Sequence, residues 1–191
     1  MGAGPPLARQ DLARVVVVGV TGSGKSTLAL RLAARLGAPC VELDALFWEP
    51  HWTEAAPEVF RERVAHATAG ARWVVAGNYD RARDLTWPRA DTVVWLDYSL
   101  PLALRRLTAR TVRRGITREV LWNGNRESLW EHCQLWSQNS LFNWLFRTYW
   151  AYRREFPVLF AQPDHAHLRI VRLRRPREAE AWLVAVNRGV A

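Results

Sequence analysis

The sequence predicts an α/β fold in which a parallel sheet is covered by helices on both faces. Short apolar runs alternate with longer amphipathic segments, the signature of strands joined by crossover helices. The first run, Arg14 to Val18, holds four consecutive valines and is apolar on both faces, as a central parallel strand should be. A glycine-rich turn then joins that run directly to a helical pattern. The chain has 191 residues, 49% of them hydrophobic, enough for one sizeable core, so residues 1–191 are read as a single domain.

The elements follow in order. Leu28, Leu32 and Leu36, at i, i+4 and i+8, predict a helix over Lys25 to Leu36 that stops at Gly37 with Pro39 beyond it. Cys40 to Leu43 reads as the second strand and Pro57 to about Ala69 as a helix with proline in its first turn. Trp73 to Ala76 and Thr92 to Leu96 are the third and fourth strands, and Pro101 opens a helix to about Thr111. Arg169 to Leu173 is the fifth strand and Glu178 to Asn187 a closing helix. Between them, about Val112 to Phe156, lies a segment rich in arginine and tryptophan. No repeat or low-complexity linker sets it apart, so it is read as a helical insertion, a lid on the same unit.

Lysine and arginine number 27 against 18 acidic residues, a net charge of +9 that suits polyanionic small molecules and leaves nucleic acid as a second option. Lys25 is the only lysine, so the one position that keeps a compact ammonium is one where a planar guanidinium would not serve. No apolar run reaches the ~18 residues of a membrane span. Met1 to Asp11 lacks the pattern of a secretory signal, and a cytoplasmic location is expected. Cys40 and Cys133 form neither a disulfide framework nor a metal spacing and are read as buried thiols; the five histidines show no ligand pattern.

Gly19-Val20-Thr21-Gly22-Ser23-Gly24-Lys25-Ser26 matches G-x-x-x-x-G-K-[ST] in full, between a predicted strand and a predicted helix. In such a turn the backbone N–H groups and the helix N-terminus converge on phosphate. Gly19, Thr21, Gly22, Ser23, Gly24, Lys25, Ser26 and Thr27 are therefore the expected nucleotide contacts, with Lys25 on the β- and γ-phosphates and Ser26 on Mg²⁺. An ATP-type donor with magnesium follows. No N-K-x-D-like guanine-reading segment is present, and the chain is short for a multi-part ATPase module, which favours a small kinase.

Gly19 to Ser26, Leu43-Asp44-Ala45-Leu46-Phe47-Trp48, Trp73-Val74-Val75-Ala76-Gly77-Asn78-Tyr79 and Asn123-Gly124-Asn125-Arg126-Glu127-Ser128 together resemble the adenylate-kinase-like P-loop proteins often labelled DNA topology modulation proteins. The resemblance spans about Val15 to Glu155. It implies a three-layer P-loop kinase fold: a five-stranded parallel sheet, a substrate-side helical region and an arginine-bearing lid. Asp44, after the second strand, falls at the carboxyl edge of the sheet, where it would orient or deprotonate an acceptor hydroxyl; capping the next segment is the rival role. Trp48, Asn78, Tyr79 and Arg81 are expected beside the acceptor, with Arg81 or Arg83 clamping an acceptor anion. Where the family pattern has an acidic residue before Gly-Asn-Tyr, this chain has Ala76, which leaves Asp97 and Asp44 as substitutes. Asp97 is read with Ser26 as a metal ligand, or else as a cap.

Arg106, Arg110, Arg113 and Arg114 fall on one helical face beside Arg105, and such a face can close over a triphosphate. Arg110, Arg114 and Arg126 are the expected catalytic arginines, with Lys25 and Asp44. Of eleven tryptophans, Trp122, Trp130, Trp136, Trp144 and Trp150 sit in the insertion and are read first as its core, Trp48 and Trp52 as an aromatic wall for a flat acceptor. The leading function is ATP-dependent phosphoryl transfer to a small acceptor, a nucleoside monophosphate or a small hydroxyl compound. The second is a nucleotide-dependent nucleic-acid-binding or regulatory protein with weak ATPase activity.

Overall fold

The computed structural model describes residues 12–126 and 140–188. Five parallel strands, β1 (Arg14–Gly19), β2 (Cys40–Glu42), β5 (Trp73–Ala76), β6 (Thr92–Leu96) and β7 (Arg169–Leu173), form one sheet in the order β2-β5-β1-β6-β7. The first strand in sequence is thus central, flanked by crossovers on both sides. The valines of β1 divide by parity: Val15 and Val17 face a core shared with α1 (Lys25–Leu36) and the closing helix α7 (Pro176–Arg188), through Leu28, Leu32, Leu183 and Val186. Val16 and Val18 face the opposite core, where Phe60 of α3 (Pro57–Ala67), Trp73, Trp95 and Phe156 are packed. Burial on both faces is why the run carries no polar alternation.

The elements expected from the sequence reappear with short adjustments. Leu43 does not end β2 but opens a short helix, α2 (Leu43–Phe47). The helix α5 (Leu100–Thr117) runs a turn and a half past Thr111, through Gly115, and is left only at Arg118, whose φ is 48°. Its Leu107 packs against Leu145 and Tyr149 of α6 (Leu141–Phe160), a small third core that holds the insertion onto the sheet. Missing from the sequence reading are α4 (Arg83–Thr86) and a two-stranded antiparallel ribbon, β3 (Trp48–Glu49) with β4 (Thr53–Glu54), too short for any periodicity to show.

Tryptophan placement corrects the expectation that the insertion's rings form its core. Trp73, Trp87 and Trp95 are buried in the sheet domain, whereas Trp144 and Trp150 of α6 are 49% and 56% exposed and Trp122 borders a cleft. Trp130, Trp136, His132 and Cys133 lie outside the described residues. Cys40 is half-buried rather than buried, and burial pushes its thiol up to about 11. No helix among the described residues is long and apolar enough to cross a membrane.

Candidate active site

The turn from β1 into α1 is shaped by close approach of other backbone. Gly22 has φ 75°, and a Cβ there would lie 2.5 Å from the carbonyl oxygen of Ala103, so only glycine lets α5 sit against the loop. Gly19, with φ 148°, is similarly pressed against the Leu96 carbonyl, where a Cβ would come within 2.7 Å. Asn78, from the loop after β5, grips this same residue from the other side. Its Oδ1 accepts from the Gly19 N–H at 3.0 Å and its Nδ2 donates to the Gly19 carbonyl at 2.6 Å. Asn78 borders the cleft where the acceptor is expected, and its amide also braces the phosphate loop.

Lys25 begins α1, and its ammonium donates to the carbonyls of Gly19 (2.7 Å) and Val20 (3.1 Å). Burial lowers its pKa to about 8, against the pull of the nearby Asp44 carboxylate and with a further push down from Arg110. An ammonium so desolvated gains strongly from an arriving polyanion. Arg106 donates to the Ser23 carbonyl at 3.1 Å and lies 5.3 Å from the Tyr98 ring centroid, and Arg110 donates to the Thr21 hydroxyl at 3.4 Å. One turn apart on α5, these two arginines flank the loop, while Arg113 and Arg114 reach Glu119. Arg126 behaves differently: its carbonyl accepts from the Trp52 indole at 3.1 Å, and its side chain is not among those lining the cleft.

Asp44 leaves the end of β2 on α2 and faces the lysine. Its Oδ1 accepts a 2.6 Å hydrogen bond from the Tyr79 hydroxyl. Burial and the adjacent carboxylate raise the Tyr79 pKa far above its ordinary value, so the phenol keeps its proton and always donates. Tyr79 therefore orients the carboxylate and is not itself a base. The cleft lined by Lys25, Asp44, Asn78, Tyr79, Arg106 and Arg110 has a volume of about 1450 Å³, room for a nucleotide and a second small molecule together. Ser26 and Thr27 border its phosphate end, and Trp48, Trp52 and Arg81 border its far end.

Asp97, expected as a metal ligand, is a correction. It is 5% exposed and its carboxylate is taken up from both sides, Arg153 Nε at 2.7 Å on Oδ1, and Arg172 Nε and a terminal nitrogen at 2.9 and 2.6 Å on Oδ2. The aspartate joins α6 to β7 through two arginines that also stack on Tyr149 and Trp95. Another carboxylate, which no sequence motif singles out, stands at the site. Glu42, the last residue of β2, lies opposite Ala76 in the β2–β5 register and borders the cleft with Ser26 and Asp44. The acidic group absent from position 76 is thus present one strand over, a relation that no single-segment motif displays. Ser26, Glu42 and Asp44 are the hard oxygen donors Mg²⁺ prefers. Among the described residues no group of three His, Cys, Asp or Glu could hold a metal by itself, and a magnesium carried by nucleotide phosphates needs only one or two protein ligands. The donor set fits such an ion.

The sequence segment Asn123 to Ser128 has a structural role in its described part. Asn123 Nδ2 donates to the Trp48 carbonyl, Asn125 Nδ2 to the Glu49 carbonyl at 2.8 Å, and Asn125 Oδ1 accepts from the Trp52 N–H at 3.0 Å. The turn after α5 thereby clasps the β3–β4 ribbon. His51, Trp52 and Asn123 all hold positive φ, of 62°, 56° and 54°, conformations uncommon outside glycine that this mutual clasp maintains.

Comparison with solved structures matches nearly the whole chain to shikimate kinases. That from Bacteroides thetaiotaomicron superposes with a TM-score of 0.54 at 14% identity, covering 93% of this chain and 97% of its own. The Acinetobacter baumannii enzyme, solved in complex with shikimate, gives 0.52 at 18%, covering 92% and 90%. The fold is that of the P-loop kinases. In sequence, a shikimate kinase from Paramagnetospirillum magneticum is 30% identical over 131 residues, 56% of this chain and 65% of that protein. The match therefore spans somewhat less than two thirds of that relative's length. No protein-family model matches the chain.

Proposed function

We propose that the protein transfers the γ-phosphoryl group of ATP to the hydroxyl of a small acceptor bound between Asp44 and the β3–β4 ribbon. The observation that carries this reading is the position of Asp44, in the electrostatic range of Lys25 and hydrogen-bonded to Tyr79 in one continuous cleft. A carboxylate within reach of both phosphate and acceptor is what phosphoryl transfer to a hydroxyl requires. The P-loop kinase fold and the shikimate kinase relative support it.

The chemistry divides among the chain's own groups. The loop amides and Lys25 hold the β- and γ-phosphates, and Arg106 and Arg110 are placed to place positive charge on the transferring group. Asp44, oriented by Tyr79, accepts the acceptor's hydroxyl proton as its oxygen bonds to the γ-phosphorus and the β–γ bridging P–O bond breaks, releasing ADP. Ser26 with Glu42 or Asp44 would hold a magnesium ion, which would supply neutralising charge to the phosphates.

Of the two acceptor classes expected from the sequence, a small hydroxyl compound is favoured over a nucleoside monophosphate, because the two expected clamps are both paired, Arg81 with Glu54 at 3.4 Å and Arg83 with Asp80. The finer family label, a DNA topology modulation protein, rests on the motif resemblance, and a nucleic-acid-binding role rests on the net charge of +9. The deciding experiment follows ADP formation with and without candidate hydroxyl acceptors and identifies phosphorylated product by mass spectrometry. Hydrolysis that no acceptor stimulates, together with DNA or RNA binding that weakens steeply with salt, would displace the kinase reading in favour of the second.

A further inference from the structure

Strand order divides the cleft into two halves of opposite charge. On the β6–β7 side of β1, Arg106, Arg110, Arg113 and Arg114 of α5 gather over the phosphate loop. The β2–β5 side, where the acceptor would bind, presents Glu42, Asp44, Glu54 and Asp80. Arg81, the described arginine that lines this half, is already matched to Glu54 at 3.4 Å, and Asp80 pairs with Arg83. With Glu42 and Asp44 turned to Lys25 and the proposed metal, these pairings leave an anionic acceptor no unmatched arginine among the described residues that line this half. Drawing Arg81 away from Glu54 to hold such an anion would leave the Glu54 carboxylate beside it.

The same half carries an aromatic corner. Trp48 and Trp52 meet edge to face, with centroids 5.6 Å apart at 81°, and Trp52 meets Trp122 at 6.5 Å and 84°. All three are partly exposed and border the cleft. Successive perpendicular indoles offer ring faces in more than one direction, an arrangement suited to a cation held against π-faces. Hydrogen bonds from Asn123 to Trp48 and between Asn125 and Trp52 hold the corner in shape.

Resting on the kinase reading above, we infer that the acceptor is a small hydroxyl compound bearing a protonated amine, an amino alcohol or amino sugar, its ammonium lodged between the tryptophan corner and Glu54. Carboxylates and indole faces both favour a cation there, and neither favours a carboxylate or a phosphate. The hydroxyl then faces Asp44 and the phosphate loop. Acceptor identity in this scheme is set by charge at the ribbon, far from the transferred group.

The test uses two series that change charge on a similar framework: D-glucosamine, D-glucose and D-glucuronate, and ethanolamine, ethylene glycol and glycolate. Rates with Mg-ATP are measured at pH 7, with product confirmed by mass spectrometry, on the full chain and on Glu54→Gln and Glu54→Arg, substitutions at a 57% exposed side chain that leave the core intact. The amine should exceed its neutral partner in kcat/KM by roughly tenfold and the anion by more, with the margin reduced in Glu54→Gln and turned toward the anion in Glu54→Arg. A neutral or anionic member used as well as the amine, or an amine preference undiminished in both variants, overturns this inference and leaves the kinase reading standing. ADP release without a phosphorylated product from any of the six compounds overturns this inference, and the kinase reading falls with it only if no other hydroxyl acceptor stimulates ADP formation.

Discussion

Glu42 and Ala76 lie side by side on neighbouring parallel strands at the edge of the phosphate site. The pairing explains why position 76 tolerates a methyl group: a carboxylate there would stand beside another on the adjacent strand, buried and repelled. Glu42→Gln should raise the magnesium concentration needed for half-maximal activity by about tenfold or more, with ATP binding at saturating magnesium little changed. Ala76→Asp should lower the urea midpoint without improving activity. A magnesium dependence unmoved in Glu42→Gln would remove Glu42 from the metal's surroundings.

In the proposed reaction Tyr79 acts only through Asp44, to which its hydroxyl donates. Asp44→Asn should reduce kcat by roughly 10²–10⁴ while ATP still binds, because the proposed proton acceptor is lost. Tyr79→Phe should lower kcat by a smaller factor, about tenfold, with acceptor KM nearly constant, since orientation is lost and the base remains. Steady-state kinetics of the two variants separate the roles.

Lys25 ties nucleotide binding to pH. Its pKa is lowered to about 8 in the nucleotide-free protein, below the unfolded value of 10.5, so between those values the unfolded chain binds the extra proton and folding stability rises with pH for this group. Below about 8 the ammonium is present in both states and its full burial cost is carried. A bound triphosphate restores the charged form, so ATP binding above pH 8 should take up a proton and weaken as pH rises. Calorimetry in buffers of different ionisation enthalpy reads the uptake directly. Lys25→Met should abolish both ATP binding and its pH dependence.

Asn78 and Gly19 form a two-way contact across 59 residues of sequence. Asn78→Asp replaces the donor with an oxygen facing the Gly19 carbonyl, and should weaken ATP binding by about 1–2 kcal/mol while acceptor KM at saturating ATP is unchanged. Had the amide served the acceptor instead, the effects would be reversed.

Asp97 holds α6 to β7 through Arg153 and Arg172. Asp97→Ala should cost about 2–3 kcal/mol, discounted from the usual range because both arginines remain partly exposed. Urea unfolding measures it. The magnesium dependence of Asp97→Asn should match that of the unaltered protein.

The features legible in the amino-acid order are local ones. The phosphate loop, the apolar strands and the helix from Lys25 to Leu36 are each written in a few consecutive residues, because backbone periodicity and turn chemistry act over a span of that size. Asp44 was legible for the same reason, as a carboxylate just after a strand. Which distant groups meet depends on how the elements pack. The β2–β5 register set Glu42 beside Ala76, the approach of β5 to β1 turned Asn78 toward Gly19, and the docking of α6 and β7 gave Asp97 its two arginines. The clasp of Asn125 on the ribbon, across 73 residues, made a cleft wall from tryptophans that composition could only count. A side chain's partners across the sheet depend on strand order and register, which are settled by the packing of the whole core.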